Sequence, residues 1–205
     1  MKIALFLPTL DGGGAERVML LLSKEFSSSG HDVDIILARA VGAYLKQLPA
    51  NVRIVDCNAS KPITAIPALI RYLRKERPFA IFSSLFQANI ALLMAIKISR
   101  VPVRSVIREA NPLSFDLKAS KNVSDKLTPF IIRICYPWAD SVVSLSKGVA
   151  GDLSETTGFP RDQIKVIYNP VDIETITQSA SFNAVSISES NIFHSFPINL
   201  SADSR

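Results

Sequence analysis

A chain of 205 residues, 48% of them hydrophobic and 20% charged, has material for one packed core and is too apolar for a disordered polypeptide. It contains no run of about 18 uncharged apolar residues, and it turns glycine-rich where a secretory leader would carry its cleavage region, so a cytoplasmic location is expected. Two cysteines, Cys57 and Cys135, read as reduced core residues, and with only His31 and His194 to accompany them no metal site is expected.

In chain order, apolar runs alternate with helical patterns. Strands are expected at Lys2 to Leu7, Val33 to Ala38, Val52 to Val55, Ala80 to Ser83, Val103 to Ile107, Ser141 to Leu145 and Ile164 to Ile167. Between them Val18, Leu21, Leu22 and Phe26 fall on one helical face, as do Ile66, Leu69, Ile70 and Leu73, and Ile90 to Ile98 forms a further apolar helix. Pro67 suits a first helical turn, and Pro78 follows the end of that helix. The alternation predicts an α/β domain built on a doubly wound parallel sheet, with ligands at the carboxyl ends of its strands.

The first strand runs into Gly12, Gly13 and Gly14 and then into a helix. Residues without a Cβ let the backbone turn tightly and present bare N–H groups at the positive end of that helix, where an anion is stabilised. A plain flexible turn is the other reading of three glycines. Neither common nucleotide motif fits: the dinucleotide fingerprint wants glycine where Arg17 stands, and a P-loop wants Lys-Ser or Lys-Thr where Ala15-Glu16 stands.

Three segments carry a resemblance: Gly13-Gly14-Ala15-Glu16-Arg17, Gly30-His31-Asp32-Val33 and Val166-Ile167-Tyr168-Asn169-Pro170-Val171-Asp172. Together they resemble the N-terminal half of a group 1 (family 4) glycosyltransferase of the GT-B fold, over Met1 to about Asp172. The resemblance implies a Rossmann-like domain and a retaining enzyme that moves a sugar from a nucleotide diphosphate sugar to a glycan or lipid-linked acceptor. The donor is a substrate and no cofactor is implied. In such enzymes the reaction site lies between two domains, and the Asn-Pro-Val-Asp element marks the exit from the first.

On that basis residues 1–174 are expected to form the acceptor-side domain. Thr175 to Arg205, with eight serines and only three charged residues, reads as a poorly ordered or foreign tail, apart from a short closing helix that Ile173 to Ala180 allows. The family's second, donor-binding domain carries two glutamates spaced E-x7-E, and no two glutamates here are so spaced. That domain is therefore expected to be absent, and the chain alone is expected to be inactive.

The resemblance assigns Gly12, Gly13, Gly14, Glu16 and Arg17 to the donor phosphate. A helix-dipole role serves Glu16 equally well, and Arg17 has a solvent-facing alternative. Arg108, Glu109 and Asn111 follow the fifth strand at the active edge, where many relatives carry a histidine that is missing here, so Arg108 and Glu109 become the catalytic candidates. An ordinary turn begun by Asn111-Pro112 is the alternative. Ser84 and Gln87 are further acceptor-side candidates after the fourth strand. Asp32-Val33-Asp34 matches a metal-binding D-x-D only superficially, since it starts a strand at the far edge, and His31 reads as a turn residue.

Over Met1 to Glu174 the charge balance is +6. Basic residues recur at Arg71, Arg74, Lys75 and Arg77, and again at Lys118, Lys121, Lys126 and Arg133 beside apolar Leu117, Leu127, Phe130, Ile131, Ile132, Tyr136 and Trp138. Such a helix suits either an anionic membrane surface or an ordinary core face. Nucleic acid is not expected, because no recognition motif accompanies the charge. Two other functions stay open: a non-catalytic nucleotide- or partner-binding module, and a nicotinamide-dependent oxidoreductase. The latter is disfavoured by Arg17 and by Ala38-Arg39 where an acidic residue would end the second strand.

Overall fold

The computed structural model describes residues 1–119 and 127–170; Lys121, Lys126, the closing helix and the tail from Thr175 lie outside them. All seven expected strands form: β1 (Lys2–Leu7), β2 (Asp32–Leu37), β3 (Arg53–Asp56), β4 (Ala80–Ser84), β5 (Arg104–Glu109), β6 (Ser141–Ser144) and β7 (Ile164–Val166). They make one parallel sheet in the order β3-β2-β1-β4-β5-β6-β7. The chain leaves β1 towards β2 and β3, then returns to place β4 on the other side of β1. The crevice at that reversal is where a doubly wound sheet binds its ligand.

Period-two alternation sorts the strand side chains between two apolar layers. Ala4, Phe6, Ile36 and Ile81 pack under α2 (Ile66–Glu76) and α3 (Phe86–Ser99). Ile3, Leu5, Leu7, Val33, Ile35 and Leu37 pack with Met19 of α1 (Gly14–Ser28). Beyond β5, α3 shares a third cluster with α5 (Thr128–Cys135) and α6 (Lys147–Thr157), while α4 (Leu113–Ala119) contributes Leu113. Residues buried all round α3, including Ala88, Ala91, Leu92 and Ala95, explain why its sequence is apolar without a polar face.

The structure refines the face that α1 presents to the core, where Leu22 and Phe26 pack at the margin of the cluster. The face α1 buries is Ala15, Val18, Met19, Leu20, Ser23 and Ser27, with Leu21, Leu22 and Phe26 only half-buried. Small serines let the helix lie close to the sheet, and Ser23 satisfies its hydroxyl on the Leu20 carbonyl at 2.7 Å. Of the basic, apolar stretch from Leu117 to Trp138, the described residues fall at the end of α4, in Leu127 and α5, and in the short 3-10 turn Tyr136–Trp138.

At the amino edge of the sheet, Asp34 is fully buried and accepts from Arg53 Nε and Nη2 at 2.8 and 2.6 Å and from the Tyr72 hydroxyl at 2.5 Å. Lys2 reaches Glu76 at 2.6 Å and Asp32 at 3.5 Å. These bonds tie β1, β2, β3 and α2 together and occupy the Asp34 oxygens that a D-x-D metal site would need. Hydrogen bonds from Lys2 and Arg53 pull the Glu76 carboxyl down to about 2. Cys57 and Cys135 are free thiols in or against the core. No helix among the described residues is long and apolar enough to cross a membrane.

Candidate functional site

The carboxyl ends of β1, β4, β5 and β6 surround a cleft of about 340 Å³. Gly13, Gly14, Ala15 and Glu16 form one wall; Leu85, Arg108, Ala110 and Asn111 face them, with Leu145 and Asn169 at the side. The glycine turn and the end of the fifth strand, far apart in sequence, thus share one cavity.

The glycines differ in what they do. Within Gly12 to Gly14 it is Gly12 that takes a positive φ, +124°, and carries the turn. Gly13, at φ −75° and ψ 169°, is the N-cap of α1 and offers no side chain to its free amides. The first helical hydrogen bond runs from the Arg17 N–H to the Gly13 carbonyl at 3.0 Å, so the amides of Gly14, Ala15 and Glu16 have no partner within the helix. The Glu16 carboxylate folds back over Gly13, into the space a Cβ there would take. A Cβ on Gly14 would meet nothing within 4 Å. Gly12 and Arg17 stand outside the cleft lining, and Arg17 is exposed.

Arg108 is the cation of the cleft. It is 9% exposed, its Nη1 donates to Ser84 Oγ at 3.0 Å, and its Nη2 donates to Asn169 Oδ1. Two fixed acceptors hold the planar guanidinium in one orientation while its remaining N–H groups stay available to an anion. Its carbonyl accepts from the Leu85 N–H at 3.2 Å and from Asn89 Nδ2 at 3.1 Å. Leu85 caps α3 at φ +78° and ψ 134°, a conformation that costs a branched residue about 1–3 kcal/mol, and it holds that strain at the cleft.

Glu109 turns the other way. Its carboxyl is 3% exposed and lies in the core, where Oε1 accepts from Asn89 Nδ2 at 2.8 Å and from the Tyr136 hydroxyl. Asn89 is in turn fixed by Ser83, which donates to its Oδ1 at 2.6 Å. Burial raises the Glu109 carboxyl to about 7 against the pull of these hydrogen bonds. Successive strand residues face opposite ways, so the structure brings Arg108 to the cleft and puts the Glu109 carboxyl behind it.

Of the remaining candidates, Asn111 lines the cleft just before α4 and Ser84 reaches it through Arg108. Gln87 is exposed and outside the lining. Among the described residues no three His, Cys, Asp or Glu side chains cluster as a metal site. His31 sits in the turn before β2, its ring edge-on to Phe26.

Sequence reasoning missed three contributors. Asn169 reads in sequence as a linker marker, yet its side chain anchors Arg108. Asn89, inside an apolar helix, was a buried amide needing partners, the one signal that could have flagged it. Gly42, at φ +127°, lies so close behind Leu10 and Asp11 that a Cβ would overlap their backbone. Beside it, Leu10 donates to the Val41 carbonyl at 2.9 Å and Tyr44 donates to the Leu10 carbonyl at 3.1 Å, bracing the glycine turn from the rear.

Comparison with known proteins fits this geometry. A family profile described as Glycosyltransferase Family 4 matches residues 12–175. A curated relative from Campylobacter jejuni, N-acetylgalactosamine-N,N'-diacetylbacillosaminyl-diphospho-undecaprenol 4-alpha-N-acetylgalactosaminyltransferase, is 29% identical over 189 residues, covering 87% of this chain and 50% of its own. Among solved structures, Anabaena HepE in complex with UDP-glucose superposes with a TM-score of 0.65 at 17% identity, over 93% of this chain and 51% of that one. A glycosyltransferase from Rickettsia africae gives 0.66 at 16% identity, over 93% and 50%. The chain spans about half the length of the relatives it matches.

Proposed function

The chain belongs to glycosyltransferase family 4, and from that premise we propose that its cleft is one wall of a site that transfers a sugar from a nucleotide diphosphate sugar to a lipid-linked glycan. The observation that carries this reading is the convergence of the open amides of α1 with a fixed guanidinium, Arg108, in one cavity. Amides at a helix N-terminus and a preoriented cation both stabilise the charge that develops on a departing diphosphate. Gly14, with open space before it, lets the phosphate approach the backbone. Arg108 is the catalytic residue in this account, and Glu109 with Asn89 and Tyr136 positions it. Asn111 faces the acceptor side. A lipid-linked acceptor is supported by the printed activity of the Campylobacter relative, and it puts the reaction at a membrane surface.

Titration of the chain with pyrophosphate, UDP and NAD by calorimetry tests the site. Weak binding of pyrophosphate and UDP is expected, and Arg108→Ala should weaken it about tenfold, in keeping with the roughly 1.5–3 kcal/mol carried by a hydrogen bond to a charged group. Arg108→Lys should restore only part, since an ammonium lacks the planar fork that Ser84 and Asn169 hold. Tighter binding of NAD than of UDP would favour the oxidoreductase instead, and an Arg108→Ala variant that binds like the parent would remove Arg108 from the site.

A further inference from the structure

A further hollow, of about 690 Å³, lies at the amino edge of the sheet, at the other end of the strands from the cleft. The entries to β1, β4 and β5 line it through Lys2, Phe79, Val103 and Arg104, and Arg77 and Asp140 complete the wall. Its cations differ in what balances them. Lys2 is held by Glu76 at 2.6 Å and Asp32 at 3.5 Å, and Arg53, which shares Glu76, by Asp34 at 2.6 Å. Arg77 and Arg104 form no ion pair among the described residues. Asp140 is engaged with Ser105, whose N–H and hydroxyl donate to its Oδ2 at 2.7 and 2.9 Å.

Arg77 is the C-cap of α2 and takes φ 43° and ψ 60°, the left-handed region that Gly30 and Gly158 occupy after α1 and α6. A side chain strains the backbone there. Carbonyls at a helix C-terminus favour a cation, which accounts for Arg74 and Lys75 in the last turn of α2 and for Arg100, at φ 56°, after α3. It does not account for two guanidinium groups meeting an exposed aromatic ring in one hollow. Arg104 Cζ lies 5.1 Å from the Phe79 ring centroid, and Phe79 is 46% exposed.

A guanidinium laid on a ring keeps its N–H edge for phosphate oxygens, and the stacked pair offers a flat surface to a base. Hollows that take small organic ligands enclose about 300–1,000 Å³, so inorganic phosphate would leave most of this one empty. We propose that the hollow of Arg77, Phe79 and Arg104 binds a nucleoside monophosphate, with its phosphate on the two arginines and its base against Phe79. The site does not depend on the sugar-transfer reading, because no residue of the cleft enters it.

Titration of the isotope-labelled chain with AMP, UMP and inorganic phosphate, followed by its amide resonances, tests it. Shifts at Phe79, Val103 and Arg104 read the hollow, and shifts at Gly13, Gly14 and Ala15 read the cleft. Saturable shifts at the hollow are expected with AMP and UMP, and phosphate should bind there about tenfold more weakly. Arg77→Gly should weaken nucleotide binding at the hollow about fivefold while the melting temperature holds or rises, because glycine suits that backbone. Arg104→Gln should weaken it by a similar factor. Phe79→Ser should weaken nucleotides about fivefold and leave phosphate within about twofold. Arg71→Gln, exposed on α2 outside the hollow, should leave all three ligands within about twofold. Should the Phe79 or Arg104 variant unfold, Arg77→Gly decides alone. Shifts confined to the cleft, phosphate bound at the hollow as tightly as the nucleotides, or parental affinity in Arg77→Gly would overturn the proposal. None of these outcomes bears on pyrophosphate binding in the cleft.

Discussion

Between about pH 4 and pH 8 the folded state should lose about 3 kcal/mol of stability through one carboxyl, Glu109. Its ordinary value of 4.5 is raised to about 7 by burial. Below 4.5 the group is protonated in both folded and unfolded chains and contributes no pH dependence. From there to about 7 the unfolded chain ionises while the folded one holds its proton, so each pH unit favours unfolding by about 1.4 kcal/mol. Above 7 both are ionised and the accumulated loss persists. Glutamine keeps an oxygen for Asn89 and Tyr136 without a charge, so Glu109→Gln should flatten this slope and be more stable than the parent at about pH 8. Glu109→Ala should be destabilised throughout, because it leaves the Asn89 amide and the Tyr136 hydroxyl short of their acceptor. Urea midpoints across the pH range read these differences. A Glu109→Gln chain less stable than the parent at about pH 8 would mean that the ionised carboxylate is the form the fold requires. The acid limb should remain in that variant, since Glu76, lowered to about 2 by Lys2 and Arg53, loses its contribution as pH falls through that value.

Gly42→Ala should cost about 3 kcal/mol, combining a backbone angle hostile to a side chain with overlap against rigid main chain. The Cβ would fall on the Leu10 carbonyl group, and neither Leu10 nor Asp11 can yield without breaking the hydrogen bonds to Val41 and Tyr44. Because that backbone leads into the glycine turn, pyrophosphate binding should fall along with stability. Gly14→Ala is the informative contrast: its Cβ meets nothing in the chain and its position is helical, so stability should hold or rise slightly while binding drops. If Gly42→Ala melted like the parent, the bracing of the turn by residues 41–44 would be disproved.

Much of the sheet is written locally. Runs such as Ile3 to Leu7 and Ile35 to Leu37 are apolar on both faces because helices cover both, and that pattern survives without tertiary information. Gly12 to Gly14 mark the turn for the same reason, although which glycine takes positive φ depended on the turn actually made. The site is less legible because its logic is non-local. Arg108 and Glu109 are adjacent and equally polar, and only the packing of β5 against α3 decides which one faces the cleft. Asn169 meets Arg108 across 61 residues, and Gly42 meets Leu10 across the whole of α1 and β2 with no motif to mark the pair. Ser23 and Ser27 are buried beside Val18, Met19 and Leu20 in α1, positions that hydrophobicity alone does not select.

The most direct test of the account is sugar transfer by the 205-residue chain, alone and with a family-type second domain fused after Asp172, using labelled UDP- and GDP-sugars and lipid-linked acceptors. Correct placement of both substrates supplies roughly 7–11 kcal/mol of barrier reduction, and one wall of a cleft open to water holds neither in register. The account predicts no multiple turnover from the chain alone and turnover from the fusion that Arg108→Ala abolishes. Robust turnover by the isolated chain, or a fusion indifferent to Arg108, would contradict it.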